Sequence, residues 1–168
     1  YSKNRKKAIC SGRGVATLIR TVSCNELPDP LMVYSDILSK TVLPACLLES
    51  ATHSGDKGRY SFICLFGRPF VGSKNEVDLA SIKGTLQKCC PSPHKEIPFI
   101  GGAVGYIGHE AITLIENTVK SHSIDPFGLP VISLYLFDCV MVFDHRKNAL
   151  HYVANVSTKF SREVGYDR

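Results

Sequence analysis

Glu49 and Ser50 follow directly on two leucines, Leu47 and Leu48, at the end of a short apolar run. A polar loop, His53-Ser-Gly-Asp-Lys-Gly58, separates them from a second run, Tyr60–Phe66, which opens on Tyr60 and Ser61. Short apolar runs flanking a Gly/Asp/Ser segment predict a β-hairpin or two neighbouring strands. A carboxylate and a hydroxyl then sit where the chain leaves the sheet, with Tyr60 and Ser61 facing the same spot. Such a corner suits a small amphipathic ligand with a ring to bury and an ammonium to pair. The same residues also fit a hairpin whose ends are polar because ends are solvated, and pockets are few per domain.

Other chemistry-bearing residues point to no reaction. Gly101, Gly102, Gly105 and Gly108 lack the G-x-G-x-x-G order of a dinucleotide loop, and no P-loop lysine accompanies them. Glycines inside an apolar stretch mark close backbone approach or a bulge. Asp144-His145 invites a catalytic reading, but neighbours on a strand point to opposite faces, and turn capping by Asp144 is the simpler role. The chain shows no activated nucleophile, no paired carboxylates on one helix face and no metal cluster. Its seven cysteines are an odd number without a C-x-x-C pair. Cys46, Cys64 and Cys139 sit in apolar runs, as small buried hydrophobes do in a reducing compartment.

A chain of 168 residues with 44% hydrophobic and 21% charged residues has ordinary globular composition and is long enough for a real core. No apolar run approaches the ~20 residues that span a bilayer, and the basic amino terminus lacks the apolar segment of a secretory signal. The expectation is a cytoplasmic protein with no membrane partner. Of the net charge of +5, the first twenty residues contribute +6 through Lys3, Arg5, Lys6, Lys7, Arg13 and Arg20, leaving −1 for the rest. Basic arms can bind nucleic acid; without interleaved aromatics or a basic stripe, a solvated terminus is the preferred reading.

The elements that must position Glu49 and Ser50 follow from periodicity. Residues 1–14 read as a basic flexible arm, 15–156 as the folded domain, and 157–168 as a linker or the start of a further domain. Val15–Val22 reads as a strand. Asp29-Pro30 starts a helix over Pro30–Lys40, with Leu31, Tyr34, Ile37 and Leu38 at helical spacing, and Pro44 prevents its continuation. A second helix carries Leu79, Ile82 and Leu86 and closes at Cys89-Cys90. His94–Ile97 reads as an exposed loop, Phe99–Gly108 as a strand feeding a short helix, and Val131–Asp144 as one long β-rich run. A turn at Asp144–Asn148 leads into a final strand, Leu150–Val156. Strand runs with a few helices between them predict an α+β fold, antiparallel β-sheets packed with two to three helices.

Three blocks in register carry a family resemblance: LLES at Leu47–Ser50 with GRYSF at Gly58–Phe62, PFIGGAVGYIGHE at Pro98–Glu110, and LFDCVMVFDH at Leu136–His145. Over roughly residues 28 to 156 the chain resembles the amino-terminal domain of anthranilate synthase component I. His109 departs from it, since family members commonly carry an aromatic there. The resemblance implies the regulatory part of an enzyme that converts chorismate and ammonia to anthranilate in tryptophan biosynthesis. It implies L-tryptophan as feedback ligand, with Leu48, Glu49 and Ser50 on one wall of the site and Tyr60, Ser61 and Ile63 on the other. Glu49 would pair the ammonium, Leu48 and Ile63 cover the indole, and the two serine hydroxyls orient it. It also implies a chorismate-binding catalytic domain that uses Mg²⁺ and a glutamine amidotransferase subunit as partners, and no cofactor within these residues.

Two other readings stay open: the related component of aminodeoxychorismate synthase, and a stand-alone small-molecule-binding module. Under the resemblance the catalytic residues belong to a following domain, so the chain alone is expected not to make anthranilate. An assay with chorismate, Mg²⁺ and ammonia checks this, with turnover as the contrary result.

Overall fold

The computed structural model describes residues 5–11, 15–51, 57–72, 79–116, 118–120 and 127–157. In chain order they form β1 (Arg5–Ser11), β2 (Val15–Ser23), α1 (Pro30–Lys40), β3 (Cys46–Ala51), β4 (Lys57–Leu65), β5 (Arg68–Gly72), α2 (Leu79–Cys89), β6 (Gly102–Ile107), a short 3-10 helix (His109–Leu114), β7 (Ile132–Phe137), β8 (Cys139–Asp144) and β9 (Ala149–Ser157). Six strands make one antiparallel sheet in the order β1-β2-β9-β8-β4-β3, and three make a second in the order β5-β7-β6. The α+β architecture expected from the sequence is the one observed. Among the described residues no helix is long and apolar enough to cross a membrane.

α1 begins where its cap dictates. The Asp29 side chain accepts from the Leu31 and Met32 amides at 2.8 and 3.2 Å, and Pro30 occupies the first turn, where its missing N–H costs nothing. Val33, Tyr34 and Ile37 pack on one face of the large sheet against Ile63, Phe143 and Leu150. The Tyr34 hydroxyl donates to the Ala45 carbonyl at 3.2 Å, which ties the helix to the start of β3. A separate cluster joins Ile82 and Leu86 of α2 to Ile132 and Leu134 of β7.

Three expectations are corrected here. Residues 5–11 are a strand rather than part of a flexible arm: β1 pairs with β2 from Arg5↔Thr21 to Ser11↔Val15. The lysine-rich sequence hides this because an edge strand is specified by the open backbone beside it and tolerates charge. Val131–Asp144 is not one run. It breaks at Asp138, so that β7 belongs to the small sheet and β8 to the large one. The His94–Ile97 segment is not simply exposed, because Ile97 is only 4% accessible and the Tyr60 hydroxyl donates to the Glu96 carbonyl at 2.8 Å.

The other face of the large sheet is covered by this segment and the residues after it. Ile97 and Ile100 pack on Ile19, Cys64, Val140, Val142 and Val153, and Phe99 meets Phe62 edge-on with ring centroids 5.8 Å apart. At the centre lies a buried carboxamide. Asn155 Nδ2 donates to the carbonyls of Ile100 at 2.7 Å and Asp138 at 3.2 Å, and its Oδ1 accepts from the Thr17 hydroxyl at 2.7 Å. The Asn155 amide also donates to the Asp138 carbonyl at 2.8 Å. Gly101 passes so close that a Cβ would overlap the Asn155 side-chain amide, and its φ of +127° suits glycine alone. Asn155→Ala takes their side-chain partner from the Thr17 hydroxyl and the Ile100 carbonyl, while the Asp138 carbonyl keeps the backbone amide of residue 155. We expect it to cost about 1–3 kcal/mol, with a comparable loss for Gly101→Ala, both read as lowered urea midpoints.

Candidate functional site

β3 is an edge strand, and its register on β4 decides which side chains meet. Glu49 lies opposite Ser61, Leu48 opposite Phe62 and Leu47 opposite Ile63, with a register shift between Glu49 and Ala51. Cross-strand partners share a face and successive residues alternate. Glu49, Ser61 and Ile63 are therefore on the α1 face, with Leu47. Leu48, Tyr60 and Phe62 are on the face covered by Ile97–Ile100. Ser50 belongs to the Tyr60 face, since it lies against Gly58, two residues before Tyr60. A Cβ on Gly58 would overlap the Ser50 hydroxyl.

The six residues singled out from the sequence thus cluster at one strand end but divide between two faces. The two walls expected are corrected accordingly, and so is the expectation that Tyr60 and Ser61 face one spot. Side-chain alternation within each strand is the physical reason. Ile63 is fully buried beneath α1, so it supports the site from below rather than touching a ligand. Glu49 and Ser50 are exposed, and Leu48 and Tyr60 half-buried.

On the α1 face the structure adds a residue. The Ser61 hydroxyl donates to Glu49 Oε1 at 3.0 Å and lies 2.8 Å from His145 Nε2. A hydroxyl has one proton, and an ionised carboxylate only accepts. With that proton on Glu49, the proton of the second bond must reside on His145 Nε2, which donates to Ser61 Oγ. His145 is then a donor and cannot act as base toward Ser61, which is itself only 2% exposed. The arrangement fixes a carboxylate; it does not activate a nucleophile. Strand alternation within Asp144-His145 alone does not reveal His145 as a partner of Ser61. The usable signal was the pairing of β4 with β8: Ser61 opposes Phe143, so His145, two residues on, lies diagonal to Ser61 on the same face.

Asp144 does the capping work expected of it. Its Oδ1 accepts from the Arg146 and Lys147 amides at 3.1 Å each, and Oδ2 pairs with Arg59 at 3.2 Å. Burial would raise this carboxyl, but the Arg59 guanidinium and the Lys147 amide outweigh it and hold it below the usual carboxylate range. Arg59 also lies 4.7 Å above the Tyr60 ring, and Lys147 bridges to Glu96 at 3.0 Å. Tyr60 is therefore committed to the covering segment. His109 is exposed at the start of the 3-10 helix. Among the described residues no group of three His, Cys, Asp or Glu is placed to hold a metal ion.

Fold and site together define an α+β domain of two antiparallel sheets with a polar cluster at one sheet edge. No family model matches the chain. It is 29% identical over 160 residues to a probable anthranilate synthase component 1 of Schizosaccharomyces pombe, which covers 89% of this chain and 33% of that protein. It is 30% identical over 170 residues to anthranilate synthase component 1 of Acetivibrio thermocellus, covering 84% and 34%. It is 32% identical over 162 residues to that of Acinetobacter calcoaceticus, covering 83% and 32%. The chain spans about a third of the length of these relatives, and over most of its own length it is similar to an amino-terminal-like segment of anthranilate synthase component 1.

One pH dependence follows from the same sheet. His151 is buried and bonded through Nδ1 to the Thr21 hydroxyl at 2.9 Å. Burial is the main cause that holds its ring below the ordinary histidine range. Above about pH 6.5 the ring is neutral in folded and unfolded chains alike and contributes no pH dependence. As pH falls the unfolded chain takes up the proton first. Stability then declines by at most about 1.4 kcal/mol per pH unit until the folded ring also protonates. Urea midpoints measured downward from about pH 7 should show this decline, and His151→Asn should flatten it.

Proposed function

We propose that the chain is the regulatory, tryptophan-binding portion of an anthranilate synthase component 1. The observation that carries this reading is the juxtaposition of its two quoted motifs. The LLES segment is β3, the GRYSF segment is β4, and Glu49 faces Ser61 across the ladder within hydrogen-bond distance. Glu49 is the anion for the ligand ammonium, and a charge-assisted hydrogen bond of this kind is worth about 1.5–3 kcal/mol. Ser61 and His145 hold that carboxylate in place from behind. Ser50 offers a hydroxyl on the opposite face of the same strand end, beside the apolar surface of Leu48 and Tyr60. A ligand that wraps the exposed end of the edge strand meets both sets.

Inhibition is then a coupling free energy between this strand end and a distant reaction site. The reaction of chorismate, its Mg²⁺ and the docking of a glutamine amidotransferase subunit belong, on this reading, to the part of the relatives that these residues do not match. Calorimetric titration with L-tryptophan, on this chain and on a protein that also carries the remaining two thirds of the relatives' length, tests the proposal. The expected result is saturable binding, lost or at least tenfold weaker in Glu49→Ala and Ser50→Ala. Such a loss corresponds to about 1.4 kcal/mol or more. No binding to either protein refutes the ligand, and undiminished binding in both variants removes these residues from the site.

A further inference from the structure

Cys46 and Cys64 are direct cross-strand partners in the β3–β4 ladder. Both are free thiols, and direct cross-strand partners present their side chains on the same face of the sheet. Their surroundings differ. Cys64 is fully buried, whereas Cys46, on the edge strand, is half-buried. We propose that this pair is a redox-modification site, at which a low-molecular-weight disulfide converts the two thiols into a reversible Cys46–Cys64 bond that staples the edge strand to its neighbour.

The geometry supports closure. The His145 amide donates to the Arg59 carbonyl at 2.9 Å, continuing the register in which Tyr60 opposes Asp144. The backbone groups of residues 59, 61, 63 and 65 therefore point toward β8, and those of 60, 62 and 64 toward β3. Cys46↔Cys64 is thus a hydrogen-bonded pair, with Cα atoms typically about 5.5 Å apart. That spacing falls inside the ~4.4–6.8 Å range of disulfides, but the sulfurs must close to ~2.05 Å within an intact ladder. A bond made against the ladder is strained, and strained disulfides are the readily reduced ones. Three other cysteines lie elsewhere. Cys139 opposes Leu65 on the alternate face, Cys24 packs beneath α1, and Cys90 lies near Gly102.

The roles of the two sulfurs follow from the same pairing. The neighbouring Cys64 thiol favours the Cys46 thiolate and draws that group down, whereas the Cys46 side chain and burial push Cys64 up. The Cys46 thiol loses its proton to water, and its thiolate attacks one sulfur of the small disulfide and expels the other as a thiolate, leaving a mixed disulfide on Cys46. The expelled thiolate takes the proton of Cys64. Cys64 sulfur then attacks Cys46 sulfur and releases the second half as a thiolate, which is protonated from water. Two protein thiols are oxidised by two electrons, and the small disulfide is reduced to two thiols.

Oxidised glutathione is the probe, followed by alkylation and non-reducing peptide mapping. The expected result for the native chain is a Cys46–Cys64 linked peptide, a mass lower by two hydrogens, and full reversal by dithiothreitol. Cys64→Ser should stop at glutathione on Cys46, and Cys46→Ser should leave Cys64 unmodified. Far-ultraviolet circular dichroism of each variant verifies that it is folded. Should a serine variant unfold, the native chain decides alone: the linked peptide sustains the proposal. Cys46 and Cys64 both remaining alkylatable, or crosslinks forming only between other cysteines, overturns it.

Discussion

The Asn155 carboxamide is the joint on which both sheets hang. It stands on β9 of the large sheet, and both it and the Asn155 backbone amide donate to the Asp138 carbonyl, where the chain leaves β7 for β8. A further side-chain hydrogen bond holds the Ile100 carbonyl at the head of the glycine-rich approach to β6. One side chain thereby fixes the crossover between sheets and the segment that seals the core. Its own carbonyl oxygen is satisfied by Thr17 across the β2–β9 ladder. A buried amide is tolerated at such a place only when its bonds are made. Among the described residues no buried side-chain nitrogen or oxygen lacks a partner.

The candidate site depends on that joint at second hand. The segment Asn155 holds in place is the one that Tyr60 grips at Glu96 and that Phe99 extends over Phe62. The upper face at the β3 end is therefore set by core packing. The lower face is set by the Glu49–Ser61–His145 chain of hydrogen bonds. A two-residue segment on an edge strand can present one side chain to each face, and Glu49-Ser50 does so.

Much of this was legible in the residues. Asp29-Pro30 announced α1 because capping chemistry is local, and the β8–β9 hairpin followed from a turn beside a carboxylate. The β3–β4 pair could be read because a polar loop separates two apolar runs. What escaped depended on partners distant in sequence. Nothing within Arg5–Ser11 says strand until the edge of β2 is there to pair it. The break at Asp138 is invisible in a run of β-formers, because it is imposed by Asn155, seventeen residues on. His145 became a neighbour of Ser61 only through the β4–β8 register. The division of the six site residues was derivable in principle, since alternation needs only the knowledge that both segments are strands.

The register shift between Glu49 and Ala51 has a consequence for how these molecules behave toward one another. Among the described residues β3 is one of the two edge strands of the six-stranded sheet, and a regular edge invites a strand from another copy to add in register. From Glu49–Ser61 to Ala51–Lys57 the ladder advances two residues on β3 and four on β4, which twists the pair there, and Glu49 beside it adds charge. A twisted, charged strand end is a poor template for edge-to-edge pairing.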